Sequence, residues 1–260
     1  MGCASSSVKG TQPMIITGHA EELSLEELGR LGGLPDRDLS GTSIKPDAKA
    51  MVPLRTLLEA FNSDKSSILH EVFQPLLPGK TINVRVIGTM GIPQPYDTWT
   101  RRLKSGETVI VFNLDLWSDE DFSKHGRPLL NHELTHVLIH EIAPEPDEKD
   151  LVAAMDYLVM NEGIAHFLGY SGDRSLLLKE KKDKWNSAER ALSDAYTSLR
   201  DPHISFDKKE GLLKKANTGK FWDKFGSIAG MFRAAYIYEH QGAEGLRSVL
   251  KTAKLPRVNN

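Results

Sequence analysis

Apolar residues recur at helical spacing over most of this chain and at alternate positions in two short stretches. Leu54, Leu57, Leu58 and Phe61 share one helical face, and Ile68, Leu69, Val72 and Phe73 continue it after a break at Ser63-Asp64. Pro75, Pro78 and Gly79 end that helix. Ile82, Val84 and Val86 then alternate with Asn83 and Arg85, the pattern of a half-buried strand. Residues 88–100 are rich in Gly and Pro and read as a loop. Thr108 to Leu116, dense in β-branched and aromatic residues, reads as a second and more buried strand. Beyond Asp119 the pattern is helical, over about 127–141, 149–169, 173–200, 207–216, 223–241 and 243–254. No internal repeat interrupts it.

The first fifth of the sequence looks different. Residues 1–22 are Ser- and Gly-rich with little apolar periodicity, and read as a flexible leader. Ser24-Leu25-Glu26-Glu27 is a capping box, so a short helix starts there and stops at Gly32-Gly33. Residues 33–47, with Pro35, Gly41 and Pro46, read as a linker. The expected organisation is a leader and linker over 1–47 and one domain over 48–258. That domain is α+β: a small sheet packed on helices, with a mainly helical C-terminal half.

Composition narrows the class. With 40% hydrophobic and 26% charged residues, this is an ordinary folding sequence. The 33 basic and 35 acidic residues leave a net charge of −2, so no positive field draws in nucleic acid. The run Lys179–Lys184 mixes signs and reads as a solvated helix face. A single cysteine, Cys3, excludes a disulfide framework and any Cys-built zinc finger. No stretch has the roughly 20 apolar residues that span a bilayer, and no secretory signal peptide is evident. A monomer is expected.

The candidate chemistry lies in His132-Glu133-Leu134-Thr135-His136, an HExxH pattern within an apolar helical segment. Side chains four residues apart stand about 40° from each other on one helix face. Two imidazoles placed so can meet one Zn²⁺ at about 2.0–2.1 Å. Glu133 is turned aside from the metal and can accept a proton without being a ligand. His140 cannot complete the set: eight residues from His132, it lies about 80° around the helix and about 12 Å along it. It reads as a core or rim histidine. The better third ligand is Glu162, in Met160-Asn161-Glu162-Gly163-Ile164-Ala165-His166. Its helix carries Leu158, Val159, Ile164 and Phe167, and a carboxylate there is costly unless it is ion-paired or binds metal. Gly163 beside it lets a second helix or a metal approach closely.

HExxH followed by a second helix bearing Asn161-Glu162-Gly163-Ile164-Ala165 resembles the gluzincin clan of zinc metallopeptidases, its aminopeptidase branch and little-characterised bacterial zinc peptidases. The stretch Gly226 to Tyr236, with Glu239 and Gly242, is similar to a helix that follows the metal helices in those bacterial proteins. The likeness spans about residues 108–250. It implies a zincin-like fold, peptide hydrolysis, Zn²⁺ held by His132, His136 and Glu162, and Glu133 as general base. It also implies an edge strand over Thr108–Leu114 that pairs with an extended peptide. Two departures stand out. The spacer between the motifs is longer than in thermolysin-like members, and His166 replaces an acid that orients a zinc-bound histidine. Asn161 and His166 are the candidate supports beside the ligands, with His166 equally readable as a plain helix-face residue. Asp115 and Asp156 are further candidates to orient the histidines. For the oxyanion donor, Tyr236, Tyr238 and His240 fall in the expected region, and Tyr236 is the choice.

Met1-Gly2-Cys3-Ala4-Ser5-Ser6 fits the myristoylation pattern, and Cys3 can take a second acyl group, a palmitate. The same string resembles the mature start of bacterial lipoproteins and the acylated start of certain plant-pathogen effectors. Each reading tethers the domain to a membrane, through roughly 45 flexible residues with a reach of about 35–40 Å. The alternative to a membrane-tethered peptidase is a non-catalytic, zinc-containing interaction protein or effector, with His140 or His166 as fourth ligand.

Overall fold

A computed structural model describes residues 13–34, 43–64, 66–92, 96–147 and 149–258. Gly2 and Cys3, the proposed lipidation positions, lie outside the described residues. The described residues form an α+β domain. Four strands make one mixed sheet in the order β1-β2-β4-β3: β1 (Ile15–Glu22), β2 (Thr81–Thr89), β3 (Thr98–Arg102) and β4 (Thr108–Asn113). β1 runs parallel to β2, β2 parallel to β4, and β3 antiparallel to β4. Helices α1 (Leu25–Leu31), α2 (Val52–Ser63) and α3 (Ile68–Phe73) come from the first third. The helical part follows: α4 (Asp119–His140), α5 (Leu151–Leu168), α6 (Arg174–Glu180), α7 (Lys182–Arg200), α8 (Phe206–Ala216) and α9 (Phe225–Thr252).

Alternation on β4 explains the two layers of core. Ile110 and Phe112 face the main core with Val84 and Val86 of β2 and Leu54, Leu58 and Phe61 of α2. Val109 and Val111 face the other way, into a smaller cluster with Leu23, Leu28, Ile87 and Leu103. A strand covered on both faces is buried throughout, hence its unbroken apolar run.

Several sequence expectations are corrected here. Residues 15–22, read as leader, are strand β1 of the sheet, whereas the short helix expected from Ser24 is present as α1 over residues 25–31. The expected tether of about 45 flexible residues cannot include these two elements. β1 escapes sequence reading because its polar residues face outward or lie at an edge, while Ile16 is fully buried. Asn62 of α2 holds Gly18 of β1 by both backbone groups, accepting from its N–H at 2.9 Å and donating to its carbonyl at 3.1 Å. β3 begins inside the segment 88–100 that reads as loop and runs two residues past it. Thr108–Leu114 is not an edge, since β4 has a neighbour on each side; the edge beside the helices is β3. The helix expected over 173–200 breaks at Lys181, inside the charge run, where no buried apolar side chain ties the turn to the core.

Other local readings hold. Ser24 accepts from the Glu27 N–H while Glu27 accepts from the Ser24 N–H, and Gly32 closes α1 at φ 80°. α9 kinks at Gly242 (φ 61°, ψ −160°), the gap expected between its two segments. α5 and α9 pack backbone to backbone: a Cβ on Gly230 would stand 2.1 Å from the Val159 carbonyl oxygen. That contact fixes the helix that carries Glu162.

Candidate metal centre

α4 and α5 lie side by side and bring His132, His136 and Glu162 together. Their ligand atoms all fall within 4.8 Å of one another. The two Nε2 atoms are 3.1 Å apart. Glu162 Oε2 is 3.8 Å from His132 Nε2, and Glu162 Oε1 is 3.9 Å from His136 Nε2. Tetrahedral ligands at zinc distances are separated by about 3.3–3.4 Å, so the cluster matches that size.

Tautomers decide whether these rings are ready to bind a cation. His136 donates from Nδ1 to Asn161 Oδ1 at 3.0 Å, which leaves a lone pair on Nε2. The Ala165 backbone lies near His132 and favours a proton on its ring. Burial, with the neighbouring His166, His136 and Lys224, pushes His132 well below the usual histidine range and keeps it neutral. Two ring nitrogens and a carboxylate thus converge on one point, a donor set that fits a divalent metal.

Around these donors the structure sorts the remaining candidates. Asn161 is at the site, on His136. His166 is there too, buried, its ring 4.6 Å from the His132 ring in an edge-on contact. It donates from Nδ1 to the Glu162 carbonyl at 2.9 Å, and burial lowers it to about 4. His140 is a rim residue, 3.5 Å from Glu145. Tyr236 does not reach the site: it stacks on His240 at 4.0 Å and packs near Trp185. The shared face with His240 is real, but on it Tyr236 packs near Trp185 of α7 and does not line the cleft. Asp115 accepts from the Gly91 N–H, and Asp156 from Tyr196, with Lys254 at 3.0 Å; neither meets a ligand histidine.

Glu133 is 6% exposed and points to β3, where Thr100 donates to its Oε2 at 2.6 Å. Burial raises its pKa, against the pull of His136 and the Thr100 hydrogen bond. Glu162 Oε1 accepts from Asn217 Nδ2 at 2.7 Å, and Asn217 in turn accepts from the buried Ser227 hydroxyl at 2.6 Å. Thr100 and Asn217 escape the sequence reading because each is a lone polar residue outside any motif. The donors line a cleft of about 970 Å³ between Tyr96–Thr100 on one side and the segment from Asn217 to Lys224 on the other.

Residues 77–254 match the family DUF5700, described as "Putative zinc dependent peptidase". The protein belongs to this family. No curated protein and no solved structure matches it. The matched span contains both metal helices, the cleft and three of the four strands, so the site lies wholly within it.

Proposed function

We propose that this protein hydrolyses peptide bonds in an extended substrate laid along the free edge of β3. The observation that carries the reading is the position of Glu133, a buried carboxylate held between that edge and a cluster of three metal donors. Zn²⁺ would be held by His132 Nε2, His136 Nε2 and a Glu162 carboxylate oxygen, and when bound it supplies Lewis-acid polarisation and a more acidic water.

The protein's own residues supply the rest. The outer edge of β3 offers backbone groups that pair with a peptide. Glu133 takes a proton from the attacking water and returns it to the leaving amine. Burial raises its pKa above the ordinary carboxylate value, which makes the carboxylate a better proton carrier. Thr100 keeps it turned to the substrate side. Among the described residues the cluster holds three donors, the number typical of catalytic sites, whereas a structural strut is closed by four. His140 and His166 do not join it.

The membrane tether belongs to the same proposal and rests on Gly2 and Cys3 alone. No helix among the described residues is long and apolar enough to cross a membrane. An acyl group would provide the attachment, and the intact mass of the protein from its native host tests it.

Glu133→Gln tests the mechanism. This variant should keep its zinc and lose activity by about a hundredfold to ten-thousandfold, while His132→Ala should lose the metal. Elemental analysis beside a peptide-cleavage assay reads both. Undiminished cleavage by Glu133→Gln would remove the mechanism.

A further inference from the structure

One wall of the cleft is the connection from α8 into α9. It sets Asn217 on Glu162, the half-exposed Phe221 ring 5.5 Å from the His166 ring, and Lys224 at the cleft surface. Lys224 is partly buried at the head of α9. Its carbonyl is taken by the Ile228 N–H at 2.9 Å, but its ammonium has no hydrogen-bond or ion-pair partner among the described residues. Its charge is felt by His132 and His166, and opposes protonation of both. The opposite wall carries the reverse sign: Asp97, just before β3, acts on Glu133.

The cleft therefore has an acidic wall at the strand and a cationic wall at α9, with the metal donors between. An ammonium partly withdrawn from water, with no ion pair among the described residues, gains most from a guest that brings the counter-charge. We propose that Lys224 selects peptides presenting a carboxylate next to the bond to be cut, either the peptide's own C-terminus or an acidic side chain. This rests on the peptidase reading and names the substrate class of that site.

The test begins with the zinc-loaded protein and a proteome-derived peptide library. The best-cleaved peptide is then made with a free or amidated C-terminus, and with its nearest acidic residue kept or changed to the amide. The wild type should prefer one carboxylate form over its amide by roughly tenfold to a hundredfold in kcat/KM, the usual worth of a charged hydrogen bond. Whichever change removes the preference identifies the source of the carboxylate. Lys224→Met should abolish the preference, Lys224→Arg should keep it, and Lys224→Glu should shift cleavage towards peptides bearing lysine at that place. Zinc content and thermal stability should match the wild type. Equal loss on the acid and amide peptides, with the preference intact, would overturn the proposal, as would a wild type indifferent to charge. If the zinc-loaded wild type cleaves nothing in the library, the peptidase reading fails and takes this one with it.

Discussion

A Cβ placed on Gly163 would lie 2.4 Å from the carbonyl carbon of Gly230. The residue after the proposed carboxylate ligand is thus pressed against the backbone of α9, and nothing flexible stands between them. Gly163→Ala must push the helices apart. It gains helix propensity of about 1 kcal/mol, but overpacking of this kind costs about 1–3 kcal/mol. Chemical denaturation should show a net loss. Zinc affinity should fall with it, because Glu162 moves with its neighbour.

Thr100→Val removes the hydroxyl that donates to Glu133 at 2.6 Å and keeps the shape of a β-branched strand residue. That hydrogen bond lowers the carboxyl pKa against the dominant effect of burial, which raises it. Without it the pKa rises further. The acidic limb of the kcat/KM profile should move to higher pH, with activity on that limb falling about tenfold, the worth of one hydrogen bond to a charged group. An unmoved limb would dissociate Thr100 from the base.

Asn217→Ala should cut zinc affinity roughly tenfold to a hundredfold, the usual worth of a group that orients a metal ligand. It frees Glu162 Oε1 from its 2.7 Å hydrogen bond and leaves the buried Ser227 hydroxyl without its acceptor. Competition against a chromogenic chelator measures the affinity directly.

His166 gives the metal-free protein an acid weakness. Burial lowers it to about 4, against an ordinary value of 6.5. Between these values the unfolded protein binds a proton that the folded one refuses, so stability rises with pH there. The contribution is complete above about pH 6.5 and is lost as pH falls towards 4, about 3 kcal/mol in all. His166→Gln should flatten that part of the denaturation profile, measured with chelator present.

What is legible in the sequence follows from how local each signal is. The four-residue spacing of His132 and His136 is a property of one helix, and so is the cost of burying Glu162 among Val159, Ile164 and Phe167. The Ser24 box and the Gly242 break are likewise read within a few residues. Ser118 is an equally local signal that the periodicity overrides, since it accepts from the Asp121 N–H and starts α4 well before the segment that looks helical. Sheet order is not legible. Which strand lies at the edge depends on pairings between distant segments, so the sequence alone puts β4 at the margin and makes β3 a loop. Tyr236 fails for a related reason: periodicity says which residues share a face of α9, but not which way that face looks. Thr100 and Asn217 matter only through partners 33 and 55 positions away in sequence.

The two margins of the sheet are unlike each other. At β1 the Asn62 amide already occupies the outward groups of Gly18, so an arriving strand would first have to evict it. At β3 no ladder partner stands beyond Arg102 and its neighbours among the described residues. Strand addition therefore meets a barrier at β1 that it does not meet at β3, which confines the exposed template to the side of the sheet nearest the cleft.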